Sequence, residues 1–151
     1  GTPKDRIGDF DQLMEVIDWE LNLEPNIRGT RFMEPIPVRP LEEMQAEGYV
    51  EKWIVYKSHD FSAKELTIEP GATVTITDQG CYGMIMMQGY GTMGNWDIET
   101  PSMIRYGQLT HDEYFVTETA ARAGVTITNK SKTDPIVMLK HFGPDNPELK
   151  L

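Results

Sequence analysis

The sequence predicts an all-β domain, a barrel or sandwich preceded by a short helical segment. Three observations carry this. From Tyr49 onward the hydrophobic period is two rather than 3.6. The apolar runs are short and recur at near-regular intervals, separated by turn residues. No helical stretch alternates with them, which argues against a βαβ arrangement.

The clearest strand is Ala72 to Thr77, where Ala72, Val74 and Ile76 alternate with Thr73, Thr75 and Thr77. It follows Glu69-Pro70-Gly71, where proline presets φ and glycine accepts a positive one. Before that turn, Phe61–Glu69 alternates, and Tyr49–Lys57 holds the bulky residues Trp53, Ile54, Val55 and Tyr56. After Asp78-Gln79-Gly80 come Tyr82–Gln88, Met103–Tyr106, Glu113–Thr117, Val125–Asn129 and Ile136–His141. Gly89, Gly91 and Gly94 match G-x-G-x-x-G, but no helical pattern follows, so they read as a β-turn rather than a dinucleotide loop.

The first 48 residues form a separate region, 1–48, ahead of a barrel at 49–151. Phe10, Leu13, Met14, Ile17 and Leu21 recur at helical spacing behind Asp9, a natural N-cap, with Gln12 at the capping-box position. This predicts one amphipathic helix from Asp9 to Leu21, ended before Pro25. Pro35, Pro37 and Pro40 then make an extended arm, and Leu41 to Gly48 adds a helical turn. The helix stripe needs a partner, either the barrel or a second subunit. Together with open sheet edges and a Trp53-Ile54-Val55-Tyr56 strand apolar on both faces, it predicts a homodimer.

At 151 residues, 39% hydrophobic and 25% charged, the chain is long enough for one core and too apolar for disorder. Net charge is −10, which disfavours nucleic acid and anionic membranes. No apolar run approaches a membrane span, and no secretory pattern opens the chain. A lone Cys81 fits a reducing, cytoplasmic setting. It has no evident base beside it, so no nucleophile is assigned. Met84, Met86 and Met87 fill core space more readily than they bind copper.

The segment Phe61–Pro144 resembles the cupin superfamily. The residues that carry the resemblance are Glu69-Pro70-Gly71, Met84-Ile85-Met86-Met87-Gln88-Gly89, Gly124-Val125-Thr126-Ile127-Thr128-Asn129 and Asp134-Pro135-Ile136-Val137-Met138-Leu139. Cys81-Tyr82-Gly83 and Lys140-His141-Phe142-Gly143-Pro144 look like bacterial mannose-6-phosphate-isomerase-like cupin domains. The resemblance implies an RmlC-like jelly roll, a double-stranded β-helix. Metal-binding cupins supply two histidines and a glutamate from a first motif and a third histidine from a second. Those positions fall here near Ile76 and Asp78, and on Tyr82 and Val125, so no metal is expected at the usual place.

His59, His111 and His141 show no metal-ligand spacing. A strand through His111-Asp112-Glu113 would put His111 and Glu113 on one face, where they could bind metal such as zinc, act as acid and base, or form an ion pair. Arg105 could pair with Glu113 or capture a carboxylate or phosphate. Tyr82, Gln88, Arg105, Tyr114 and Trp96 are the candidate ligand-binding residues of the barrel mouth. The expected function is binding of a small polar ligand, a sugar or sugar phosphate. The alternatives are an aldose–ketose isomerase using Glu113 and His111, or a non-catalytic dimerisation module of a larger polypeptide.

Overall fold

The computed structural model describes residues 3–103 and 105–149. They fall into two compact units, one through Met33 and one from Glu34.

In the first unit the expected single helix is two. Asp9 caps α1 (Phe10–Glu15), its carboxylate accepting from Gln12 N–H at 3.0 Å. Asp18 then does the same for α2 (Trp19–Asn22) through Leu21 N–H. A second capping carboxylate competes with continuation of the helix, so the chain restarts there. A third helix, α3 (Ile27–Arg31), was not anticipated. The apolar stripe stays largely in solvent, with Phe10 75% exposed.

In the second unit the proline-bearing arm is part of the sheet. β1 (Ile36–Pro37) pairs with β2 (Tyr49–Val55), and α4 (Leu41–Ala46) buries Met44 between them in sequence. The remaining strands are β3 (Ser62–Ile68), β4 (Thr73–Ile76), β5 (Tyr82–Gln88), β6 (Tyr90–Met93), β7 (Trp96–Glu99), β8 (Glu113–Val116), β9 (Val125–Asn129) and β10 (Ile136–Phe142), with α5 (Glu118–Ala123) before β9. The large sheet has the order β1-β2-β3-β10-β5-β8 and the small one β4-β9-β6-β7.

From β3 onward the pairing is nested. β6 pairs with β7, β5 with β8, β4 with β9, and β3 with β10, all antiparallel. Successive pairs alternate between the two sheets, so one long hairpin is wound into a double-stranded β-helix. This is the all-β jelly roll that the resemblance implied. Each strand turns one row of side chains inward: Tyr49 and Trp53, Leu66 and Ile68, Val74 and Ile76, Tyr82, Met84 and Met86, Ile136 and Met138 form a single core.

Two sequence expectations fail in the same region. Met103–Tyr106 is not a strand: Met103, Arg105 and Tyr106 lie in the long loop between β7 and β8, bracketed by Pro101 and Gly107, while Ile104 lies outside the described residues. The glycine-rich stretch read as a turn is instead strand β6, and the turn is Gly94-Asn95 alone. A two-residue glycine turn suits the twist of a hairpin. Gly91 is required by proximity, because a Cβ there would run into the Thr128 carbonyl oxygen of β9.

Asn129 ties the winding together. It is 1% exposed, donates to the carbonyls of Ile68, Glu69 and Asp134, and accepts from Ser131 N–H. Asn129→Ala removes four hydrogen bonds to backbone groups, two of them buried, at the Ile68 carbonyl and the Ser131 N–H. It is expected to cost about 2–4 kcal/mol, read as a lower urea midpoint at unchanged m-value.

Candidate functional site

The strands of the barrel carry charges inward as well as apolar groups. Glu51 lies between Tyr49 and Trp53 on the inner row of β2, Lys64 between Ser62 and Leu66 on β3, and Lys140 between Met138 and Phe142 on β10. All three are buried, and so is Asp78, just past β4. Lys64 and Lys140 are directly opposite each other across the β3–β10 ladder. Two ammonium groups so placed repel. Asp78 resolves the conflict by bridging them, accepting from Lys64 Nζ through Oδ1 and from Lys140 Nζ through Oδ2, each at 2.7 Å. Glu51 contacts both, with Oε1 on Lys140 and Oε2 3.8 Å from Lys64.

Aromatic faces enclose the two cations. Lys64 Nζ lies 4.5 Å from the Trp53 ring centroid, and Lys140 Nζ 5.0 Å from that of Tyr82. Trp53 and Tyr82 both lean on Phe142, at centroid distances of 5.9 and 5.4 Å. Helix α5 fixes the acid: its Ala121 carbonyl accepts Asp78 N–H. Burial works to lower the Lys140 pKa, but the Glu51 and Asp78 carboxylates outweigh it and hold the group above its ordinary value. Burial, aided by Asp78 and Glu51, pushes the Tyr82 phenol well above its ordinary value.

A cleft of about 340 Å³ leads to this cluster from outside. It opens on the seam between the two sheets, with Val38, Arg39, Tyr49 and Glu51 on one side and Thr75, Ile76, Thr77 and Gln79 on the other. Lys64 forms its floor. Arg39 is held at the rim, donating to Glu47, Glu43 and the Tyr49 hydroxyl. Glu148, from the segment after β10, closes the deep end. Its Oε2 accepts from Lys64 Nζ at 2.6 Å and its Oε1 from Gln79 N–H at 2.7 Å.

The residues named from the sequence are dispersed. Tyr82 faces the interior, 2% exposed, behind the lysines. Gln88 sits exposed at the end of β5, where it donates to the Pro135 carbonyl. Trp96 is 59% exposed beside the Gly94-Asn95 turn. Tyr114 donates to the Asp97 carbonyl at 2.6 Å, spanning the two sheets. His111 precedes β8 rather than lying in it, and its near carboxylate is Glu99, at 3.8 Å. Glu113 occupies the outward row of β8, so the two do not share a face. Arg105 and His111 line a separate groove of about 180 Å³ with Glu99 and Gln108. None of these residues lines the cleft.

Lys64, Lys140, Glu51 and Glu148 were missed. The signal was parity: in β2, β3 and β10 the charged residue falls in register with the large apolar ones, not against them.

No family model matches the chain, and no curated protein matches it. Solved structures with a similar backbone include an RmlC-like cupin from Ralstonia eutropha, at 11% identity and a TM-score of 0.48, covering 74% of this chain and 63% of that one. The chain therefore spans less than two thirds of that protein. Another is the SigE complex with the anti-sigma ChrR from Rhodobacter sphaeroides, at 13% and 0.49, covering 94% and 68%. A third is the polyketide cyclase RemF from Streptomyces resistomycificus, at 8% and 0.45, covering 67% and 68%. The jelly roll itself rests on the strand pairing of this chain.

Removing one member of the buried cluster leaves its partners uncompensated. Lys140→Met is expected to cost about 3–5 kcal/mol at neutral pH. Lys140 and Tyr82 both bind their protons more tightly folded than unfolded. Their contribution is therefore complete below about pH 10 and lost as pH rises through the folded values. Denaturation from pH 7 to 11 should show a falling alkaline limb that Tyr82→Phe flattens.

Proposed function

We propose that the chain binds a small, neutral, polyhydroxylated ligand, a sugar in chemical class, in the cleft above Lys64, without a metal ion. The observation that carries this is a buried ammonium at the floor of a cleft lined mostly by polar side chains. Buried, coupled ionisable groups beside a cavity are a recognised mark of a binding site.

Charge selects the ligand. Around the cleft Arg39, Lys64 and Lys140 meet Glu43, Glu47, Glu51, Asp78 and Glu148, three positive groups against five negative. A phosphate dianion would add to an existing excess, so the neutral sugar is favoured over the sugar phosphate. Gln79, Thr77, Tyr49 and Arg39 offer hydrogen bonds around it, and Val38 and Ile76 an apolar wall.

The donor set does not suit a metal. Of the positions Ile76, Asp78, Tyr82 and Val125, only Asp78 is a ligand for a divalent ion, and both its oxygens already hold ammonium groups. Isomerase chemistry gains little support either, because Glu113 and His111 face different surroundings and the cleft carboxylates are bound to cations. The reading is a binding domain rather than an enzyme.

Saturation-transfer NMR with a panel of neutral monosaccharides tests the cleft. A sugar bound by the wild type should lose at least about tenfold in affinity to Thr77→Trp, which fills the cleft from an exposed position. A sugar bound equally by both forms lies elsewhere.

The outward face of the large sheet supports a second, separate reading, a homodimer. Ile85 (37% exposed) and Met87 (56%) follow each other on the outward row of β5. Phe115 (70%) lies diagonally across from Ile85 on β8, opposite Gly83, while Glu113 faces Ile85 directly. Light scattering should give twice the 17.2 kDa chain mass, and Phe115→Asp should return it to the monomer.

A further inference from the structure

Within the buried cluster Glu148 is the surplus acid. Glu51 and Asp78 alone neutralise Lys64 and Lys140, and these four are nearly inaccessible. Glu148 is different: its side chain is 20% exposed, and it enters the cleft from the segment after β10 rather than from a strand. Its carboxylate is held by one buried ammonium, Lys64 Nζ, and one backbone donor, Gln79 N–H, with one oxygen on each. Two convergent donors of this kind, one charged, make a receptor for a planar carboxylate. The donors belong to the barrel framework, but the acid that fills them does not. The segment carrying it is pinned by Asn146, which donates to Ser62 Oγ and accepts from Glu148 N–H, by Asp145 N–H on the His59 carbonyl, and by Leu149 packed against the core.

We propose that Lys64 Nζ and Gln79 N–H form a carboxylate subsite of the cleft, with Glu148 as its built-in occupant and a small hydroxy acid of the sugar-acid class as its exchangeable ligand. The proposal rests on the cleft reading above: with Glu148 in place the cleft takes the neutral sugar, and with Glu148 displaced it takes the corresponding monocarboxylate, whose acid group replaces the one that has left. Exchange of one carboxylate for another leaves the charge of the cluster unchanged, whereas a dianion would not. Glu148 then acts as an intramolecular competitor. Apparent affinity for an external acid is reduced by the fraction of time the subsite is covered.

The test compares D-gluconate with D-glucitol, which keeps the hydroxyls and lacks the acid, by titration of the folded chain while following the Gln79 amide resonance. Two variants are used: Glu148→Ala, which removes the competitor, and Asn146→Ala, which loosens its segment and leaves the carboxylate in place. Gluconate should bind Glu148→Ala at least about tenfold more tightly than wild type, bind Asn146→Ala with a smaller gain, and shift the Gln79 amide. Glucitol affinity should not change. Should Glu148→Ala fail to fold, a gluconate-specific gain in Asn146→Ala carries the same decision. Glucitol binding without any gain for gluconate overturns the subsite and leaves the cleft reading standing. An equal gain for both makes the segment a simple cover and also overturns it. If neither probe binds any form, both readings fall.

Discussion

Asp78 is the residue on which the interior depends. A lone carboxylate with no exposed surface would be held there at severe cost, and a lysine pair facing each other across a ladder would be worse. Together they are tolerable, because each oxygen of Asp78 meets one ammonium and Glu51 meets both. Such a cluster is weak evidence of stability, since apolar residues of equal volume often serve as well. Its physical consequence is registration. Glu51, Lys64, Asp78 and Lys140 come from four separate parts of the chain, and a one-residue slip in β3 would bring Ala63 or Glu65 inward where Lys64 must be.

That constraint explains why the cleft is polar in an otherwise apolar barrel. The methionines Met84, Met86, Met93 and Met138 share the rest of the interior with Leu66, Ile68, Ile98, Ile127 and Ile136, adapting to irregular space. At the other end Trp53, Tyr82 and Phe142 surround the ammonium groups with ring faces. The interior is thus divided into a packed half and a charged half. The seam at β4 is where the charged half reaches solvent.

Much of the winding was legible in the sequence because it is written in alternation. Tyr82–Gln88 and Val125–Asn129 were read with the bounds the structure gives, and the Thr/Val/Ile strand at β4 nearly so. The hairpin β6–β7 was lost because its glycines suggested a loop, although Gly91 is there for the close approach of β9. The strand expected at Met103–Tyr106 was apolar enough but flanked by Pro101 and Gly107. The site was harder to see. A lysine in Ser62-Ala63-Lys64-Glu65-Leu66 looks like a solvated charge, and nothing local says that its counterion lies 14 residues away while the opposing lysine lies in the last strand. Glu148 sits outside any periodic segment, so no pattern could place it.

The nested pairing also governs the order in which the chain can fold. The hairpin β6–β7 closes across two residues, but β3 meets β10 only after everything between Ile68 and Ile136 has been gathered in. Each outer pair closes a longer loop, and the entropic cost of closure comes due before its contacts form. Lys64 and Lys140 lie in that outermost pair. Non-local pairing of this kind slows folding in general, and the pair that carries the two buried ammonium groups is the one with the longest loop to close.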